Sequence, residues 1–256
     1  METKLEKGER IDCIRFGDLR LIQKPEDFCY GVDAVLLAHF AATDGEQKNI
    51  KRVKSKRAMD LGTGTGIVPL ILSHKTDITE IFGLEIQKES FQRALRNMEL
   101  NGLEKRIEIL YGDVSDIENV INKDFVGTFD MVTANPPYIL KNGAVKNEKT
   151  AKMIARHETS GLIDDFIKTA ALLLKPKCDF YMVHRPSRLI DICVSCRVNK
   201  LEPKGIRLVS PREGEIPNIM LIHCVKYGNP ELKFMKNLNI YEGTSYSKEI
   251  KEIYER

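Results

Sequence analysis

The run Asp60-Leu-Gly-Thr-Gly-Thr-Gly66 constrains this chain more than any other feature. It follows a short apolar segment, Arg57 to Leu61, that reads as a strand, and it opens a helical pattern from Thr65 to His74. Gly62, Gly64 and Gly66 let the backbone turn tightly and approach a ligand where any side chain would collide. Dinucleotide-binding turns favour G-x-G-x-x-G, whereas this turn is G-x-G-x-G. The spacing therefore favours a cofactor carrying an amino-acid tail rather than a pyrophosphate, with Asp60 and Thr63 beside it. Asp60 can hold the tail's ammonium directly or through water.

Strand-like and helix-like segments alternate from there on. Glu80 to Ile86 reads as a strand, Lys88 to Leu100 as a helix ended by Asn101-Gly102, Arg106 to Tyr111 as a third strand and Phe129 to Ala134 as a fourth. Asp164 to Leu174 is helical and closed by Lys175-Pro176, Asp179 to His184 is a fifth strand, and Ser187 to Asn199 is its following helix. Gly205 to Val209 and Ile219 to Val225 read as two strands with no helix between them. Such alternation implies an α/β fold, a mostly parallel sheet with helices on both faces, closed by an antiparallel hairpin. Ahead of it, Ile11 to Gln23 reads as a hairpin and Asp33 to Ala42 as an amphipathic helix. Residues 1–50 are expected to form a small cap, and residues 51–256 one compact unit.

Apolar residues make up 42% of the 256, enough for a sizeable core. No apolar run approaches the roughly 20 residues needed to cross a bilayer. Met1 to Arg10 is almost entirely polar, so no leader is expected, nor a membrane partner, and the reading is cytoplasmic. The six cysteines lack the dense spacing of a disulfide scaffold and read as reduced thiols. Cys193 and Cys196 form a C-x-x-C, but on a helix such a pair reads as packed apolar residues, and no metal is expected. The net charge of +3 decides nothing alone. Its distribution is more telling: Lys48, Lys51, Arg52, Lys54, Lys56 and Arg57 crowd ahead of the first core strand, as a solvated loop or a phosphate-facing run.

Three successive strand ends offer the groups a nucleoside needs. Glu85 can accept both ribose hydroxyls as charge-assisted hydrogen bonds. Asp113 can accept from the adenine amine, while Ile86 and Val114 can pack against the ring. These groups fall at the carboxyl edge of the sheet, where ligands bind in open α/β folds.

Asn135-Pro136-Pro137-Tyr138 follows the fourth strand and carries the chemistry. An aromatic amine is a poor nucleophile because its lone pair is delocalised into the ring. The Asn135 side-chain oxygen and the Pro136 carbonyl can accept its two N–H bonds, drawing the nitrogen towards tetrahedral geometry. The paired prolines fix the carbonyl direction, since their φ is locked, and Tyr138 offers a ring on which the target base can stack. No general base is required, and positioning with fixed dipoles supplies most of the acceleration.

Together, the glycine turn, Glu85, Asp113 and Asn-Pro-Pro-Tyr resemble the class I S-adenosylmethionine-dependent amino-methyltransferases of the small-domain group. Other segments resemble the bacterial tRNA adenine methyltransferases that modify valine tRNA beside the anticodon. These are Ile22-Gln23, Phe28, Tyr30, Asp33 to Ala38, Ala155 to Glu158, Val183 to Pro186, Arg188-Leu189, Glu202 to Lys204 and Tyr241 to Tyr246. The resemblance implies a Rossmann-like fold with a seven-stranded sheet, and methyl transfer to the exocyclic amine of an adenine in the tRNA anticodon loop. It implies Tyr30 over the methionine end of the cofactor, and Lys141, Arg156, His157, His184 and Arg185 as candidates for nucleic-acid contact. Two loops depart from the family pattern: Lys177-Cys178-Asp179 replaces a glycine turn, and Glu215-Ile-Pro-Asn218 an alanine-asparagine pattern.

Alternatives remain. A protein glutamine amide is also a planar, weak nucleophile, but glutamine methyltransferases of release factors carry a helical domain ahead of the catalytic one, and a hairpin is expected here. Guanine-amine enzymes usually show Phe in place of Tyr138, and DNA adenine enzymes a target-recognition domain. A cofactor-binding RNA module without turnover, or a nicotinamide oxidoreductase, leaves Asn-Pro-Pro-Tyr unexplained.

Overall fold

The computed structural model describes residues 5–27, 29–43, 56–137 and 159–255. Strands β1 (Arg10–Cys13) and β2 (Arg20–Gln23) pair antiparallel as a hairpin and lead to helix α1 (Val32–Thr43). The sheet then begins with β3 (Arg57–Leu61), α2 (Ile67–Lys75), β4 (Glu80–Glu85), α3 (Lys88–Leu100) and β5 (Ile107–Tyr111). It continues through the short helix α4 (Ile117–Val120), β6 (Phe129–Ala134), α5 (Thr159–Leu173), β7 (Leu174–His184) and α6 (Leu189–Val198). Strands β8 (Leu201–Ser210) and β9 (Ile219–Lys226) follow without a helix between them.

The seven long strands lie in the order β8-β9-β7-β6-β3-β4-β5. All are parallel except β9, which runs antiparallel between β7 and β8. The expected parallel sheet with a closing antiparallel hairpin is therefore present. Two short strands, β10 (Lys233–Phe234) and β11 (Leu238–Asn239), extend it by pairing parallel to the outer side of β8. A second small hairpin, β12 (Tyr241–Glu242) with β13 (Ser245–Tyr246), precedes the last helix, α7 (Lys248–Glu255).

One apolar core gathers α1, α2, part of α3, the hairpin and α7 on one face of the sheet. A second gathers α4, α5 and α6 on the other. Parallel strands flanked this way are buried on both faces, which explains the nearly continuous apolar runs in β6 and β7. Helix α1 differs from the amphipathic expectation: Ala34 to Ala38 and Phe40 to Thr43 are all buried, because the helix is wedged against α2 and the sheet.

The helix preceding β7 ends at Leu173, and the strand starts at once with Leu174 opposite Phe129; pairing resumes with Asp179 opposite Met131. Lys175 to Cys178 bulge out of the ladder, so Pro176 withholds no ladder hydrogen bond. Lys177 takes φ 65°, in the left-handed region that favours glycine. This bulge lies at the amino edge of the sheet. The first departure from the family pattern therefore stands on the edge opposite the strand ends that carry Asp60, Glu85 and Asn135.

The hairpin is fastened to α3 by charge. Glu9 accepts from Arg93 at 3.0 Å and from both terminal nitrogens of Arg96 at 2.6 and 2.7 Å. Asp27 takes the other arm of Arg93 at 2.9 Å. The Arg96 hydrogen bonds, with smaller help from the Glu6 backbone and Arg93, lower the Glu9 carboxyl to about 2.

Candidate active site

Strands β6, β3, β4 and β5 lie side by side in that order and are parallel, so their carboxyl ends form one edge. Asp60, Glu85, Asp113 and Asn135 stand at or just beyond those four ends. The topology thus brings together the four polar residues singled out from the sequence.

The glycine turn links β3 to α2. Its three glycines have φ of 70°, 58° and 85° at positions 62, 64 and 66, all in the left-handed region. Gly66 is needed twice over, since a Cβ there would also lie 2.7 Å from Met98 Cε. Gly64 instead faces open space, with nothing within 4 Å of where its Cβ would be. The turn thus exposes bare backbone at its middle glycine. Thr63, the buried residue between, anchors the turn by donating its N–H to the Leu84 carbonyl at 2.9 Å.

Glu85 is only 4% exposed, and both its oxygens are engaged. Oε2 accepts from the Gly64 N–H at 2.8 Å and Oε1 from the Gln87 N–H at 2.7 Å. Burial raises its pKa, and these backbone bonds oppose the rise. A carboxylate offers about four lone-pair sites in all, so Glu85 retains capacity to accept from a ligand. Ile86, next along, is 37% exposed, while Val114 is 7% exposed and belongs to the core beneath β4. Asp113 caps a short 3₁₀ turn, its Oδ1 accepting from the Ser115 N–H and hydroxyl, both at 2.8 Å.

Asp60 is 2% exposed. Burial pushes its carboxyl up to about 7, with the nearby Glu85 charge adding to the rise and the Thr133 hydroxyl, donating at 2.6 Å, opposing it. Thr133 is the register partner of Asp60 on β6, two residues before Asn135. Asn135 follows directly on the last residue of β6, Ala134. Asn135 is half-buried, Pro136 buried and Pro137 exposed.

Two residues outside the sequence reading hold this edge in shape. Asn97, fully buried on α3, accepts from the Ile22 N–H at 2.6 Å and donates to the Thr65 carbonyl at 2.9 Å. One amide therefore joins the amino-terminal hairpin, α3 and the glycine turn. The signal was a polar residue on the apolar face of α3, one step from Met98 and three from Ala94. Phe166 of α5 packs beneath Gly62, where a Cβ would approach its ring to 3.2 Å. Tyr30 is half-buried against the α1 and α2 core, its N–H donating to Gln23 Oε1 at 3.2 Å, and burial raises the pKa of its hydroxyl.

Tyr138, Lys141, Arg156 and His157 lie outside the described residues, as do Phe28 and Lys48 to Ser55. Arg57 is committed elsewhere, at the amino edge of β3. Its guanidinium lies 5.3 Å from the Phe125 ring centroid and pairs with Glu80 at 2.6 Å. Arg185, just past the end of β7, donates to the Asn218 carbonyl at 2.8 Å, which sets the second departing loop at the carboxyl edge. The neighbouring His184 is buried, and burial, with help from the Arg188 charge, lowers its pKa to about 4, leaving it neutral at pH 7. Cys196 is fully buried on α6 with its sulfur 3.7 Å from that of Cys224, and all six cysteines are free. Among the described residues, no helix is long and apolar enough to cross a membrane.

A family model described as a methyltransferase domain matches residues 52–211. A tRNA1(Val) (adenine(37)-N6)-methyltransferase of Porphyromonas gingivalis is 28% identical over 188 residues, 73% of this chain and 67% of that protein. The Pedobacter heparinus protein of the same name is 24% identical over 233 residues, 91% of each chain. Among solved structures, an Agrobacterium tumefaciens protein described as a predicted O-methyltransferase superposes with a TM-score of 0.66 at 24% identity, covering 87% of this chain and 95% of that one. The M. jannaschii TYW2 protein, solved in complex with AdoMet, gives 0.56 at 10% identity over 87% of each.

Proposed function

The chain belongs to the methyltransferase-domain family, and from that premise we propose that it uses S-adenosylmethionine to methylate the exocyclic amine of an adenine in the anticodon loop of a tRNA. The observation that carries the reading is the meeting of Asn135-Pro136 with Asp60, Glu85 and Asp113 on one sheet edge. The names of its relatives supply the substrate.

The residues present suit this cofactor. Asp60 is a buried carboxyl flanked by threonine hydroxyls and by the Glu85 carboxylate, with no cation among the described groups that act on it, an arrangement that an ammonium would complete. Glu85 keeps capacity to accept from a ribose hydroxyl beyond its backbone bonds. Gly64 leaves the space that a ligand chain requires. When bound, S-adenosylmethionine supplies an electrophilic methyl on sulfur.

The chain's own task is to prepare the acceptor nitrogen. In this account the Asn135 carboxamide oxygen and the Pro136 carbonyl oxygen accept its two N–H bonds, which localises the lone pair for attack. Attack on the bound methyl donor would form the N–C bond as its S–C bond breaks, and the nitrogen would then release a proton to water. Tyr138 would stack on the target base, and Lys141, Arg156, His157 and Arg185 would contact the RNA. Tyr30 would close over the methionine end of the cofactor. The amino-terminal 1–50 segment would act as a cap on the 51–256 unit, and the enzyme would work in the cytoplasm.

Asn135→Ala tests the assignment. Turnover should fall by about two orders of magnitude or more, as for removal of a preorganised polar group at a reacting centre, with S-adenosylmethionine affinity within a few-fold of wild type. A near-normal rate would remove Asn135 from the chemistry.

A further inference from the structure

Four aromatic rings and one guanidinium form a single column that runs from the amino-terminal hairpin to the carboxyl end of β8. Phe16 stacks on Tyr254 with centroids 5.8 Å apart, Tyr254 on Tyr246 at 5.8 Å, and Tyr246 on Tyr241 at 5.4 Å, all within 20° of parallel. The Arg212 guanidinium caps the column 5.5 Å from the Tyr241 centroid.

The two ends of the column differ. Phe16 is 1% exposed, and with Tyr254 it packs helix α7 against the amino-terminal hairpin. Tyr241 and Tyr246 are 36% and 39% exposed and belong to a hairpin of two residues per strand. A cross-strand aromatic pair helps so small a hairpin, but docking of Tyr246 on Tyr254 already anchors it. Core packing therefore accounts for the inner rings and not for Tyr241.

Backbone bonds fix where the outer end stands. The Ile240 and Tyr241 N–H groups donate to the carbonyls of Ser210 and Pro211 at 2.9 and 2.8 Å. Ser210 ends β8, which runs parallel to β6 and β7, so Tyr241 sits on the edge that carries Asn135. Arg212 belongs to the loop from Pro211 to Asn218, whose far end receives the Arg185 hydrogen bond. Arg212 is 53% exposed on its side chain and is held by a 3.4 Å contact to Glu215, so little opposes its swinging off the ring.

We propose that Tyr241 and Arg212 form a stacking platform for an unpaired base of the RNA substrate, one flanking the base that is methylated. Every base has a π-face, so an exposed tyrosine supported from behind by a rigid column accepts any of them. Arg212 would cover the base or reach its phosphate. Glu213, Glu215 and Glu242 stand on the same loop and hairpin, so ring contact rather than charge supplies the binding here. This inference rests on the reading that the substrate is RNA.

The test uses the full-length protein with unmodified tRNA from in vitro transcription. Tyr241→Leu should raise KM for tRNA by roughly 5- to 150-fold, the worth of one base–aromatic stack. The rate at saturating tRNA, the S-adenosylmethionine affinity and the melting temperature should stay near wild type, and Tyr241→Phe should restore the wild-type KM. Arg212→Ala should raise KM by less. Wild-type methylation of tRNA with an unchanged KM for Tyr241→Leu would overturn this inference alone. Failure of Tyr241→Phe to rescue would overturn it too, since the hydroxyl rather than the ring would matter. Absence of any wild-type transfer to tRNA, with transfer to a protein instead, would overturn both the inference and the reading beneath it.

Discussion

Glu85 accepts the backbone N–H of Gly64 at 2.8 Å, so the carboxylate proposed to hold the cofactor's ribose also holds the turn that approaches the cofactor. Glu85→Ala should weaken S-adenosylmethionine binding by about ten- to a hundredfold, the worth of hydrogen bonds to a charged group. Glu85→Gln keeps one oxygen for Gly64 but loses the charge, and should fall between. Calorimetric titration of the three proteins checks this; equal affinities would take Glu85 out of the pocket.

Asn97 carries a similar double load at the other end of the turn. Asn97→Ala removes the acceptor for the buried Ile22 N–H and the donor to Thr65, and should cost about 1–3 kcal/mol of stability. Because Thr65 belongs to the glycine turn, cofactor affinity should drop with it. Urea denaturation and calorimetry measure the two effects, and a loss of stability with unchanged affinity would confine Asn97 to folding.

Asp60 predicts a pH dependence of binding. Its folded-state pKa of about 7 is raised above the ordinary value of 3.8 by burial. The ionised form is the one an ammonium stabilises, so S-adenosylmethionine affinity should rise with pH through about 7. Titration at pH 6 should give binding up to about tenfold weaker than at pH 8. Asp60→Asn should flatten that dependence, and a wild-type profile that is already flat would speak against an Asp60–ammonium contact. In the free protein the same shift has the opposite sense for folding, since stability contributed by Asp60 falls as pH rises from about 4 to 7.

Glu9 works the other way. Its pKa is lowered to about 2, so its contribution is fully present above the ordinary 4.5 and is lost as pH falls through about 2. Glu9→Gln should remove part of the acid sensitivity of the wild type. Acid titration of the helical circular dichroism signal of both proteins checks this; coincident curves would mean that Arg93 and Arg96 find other partners.

Much of the architecture was legible because parallel strands buried on both faces write themselves as apolar runs, with chemistry at their ends. Asp60, Glu85, Asp113 and Asn135 could be read one by one, and only the shared strand direction was needed to bring them together. What escaped depends on contacts far apart in sequence. Asn97 shows in the sequence only as a polar residue on an apolar helix face, and its role emerges once Ile22 and Thr65 are folded around it. The burial of α1 on nearly every side follows from α2 and β7, not from its own periodicity. The column from Phe16 to Tyr241 joins residues more than 200 positions apart, and no spacing rule spans that distance.

The most direct test of the central claim offers the purified protein methyl-labelled S-adenosylmethionine with unmodified total tRNA and, separately, with release factors. Label in tRNA, recovered after digestion as adenosine methylated on its exocyclic amine, is the predicted result. Label only in release factor, or none in tRNA while the protein still binds the cofactor, would contradict it.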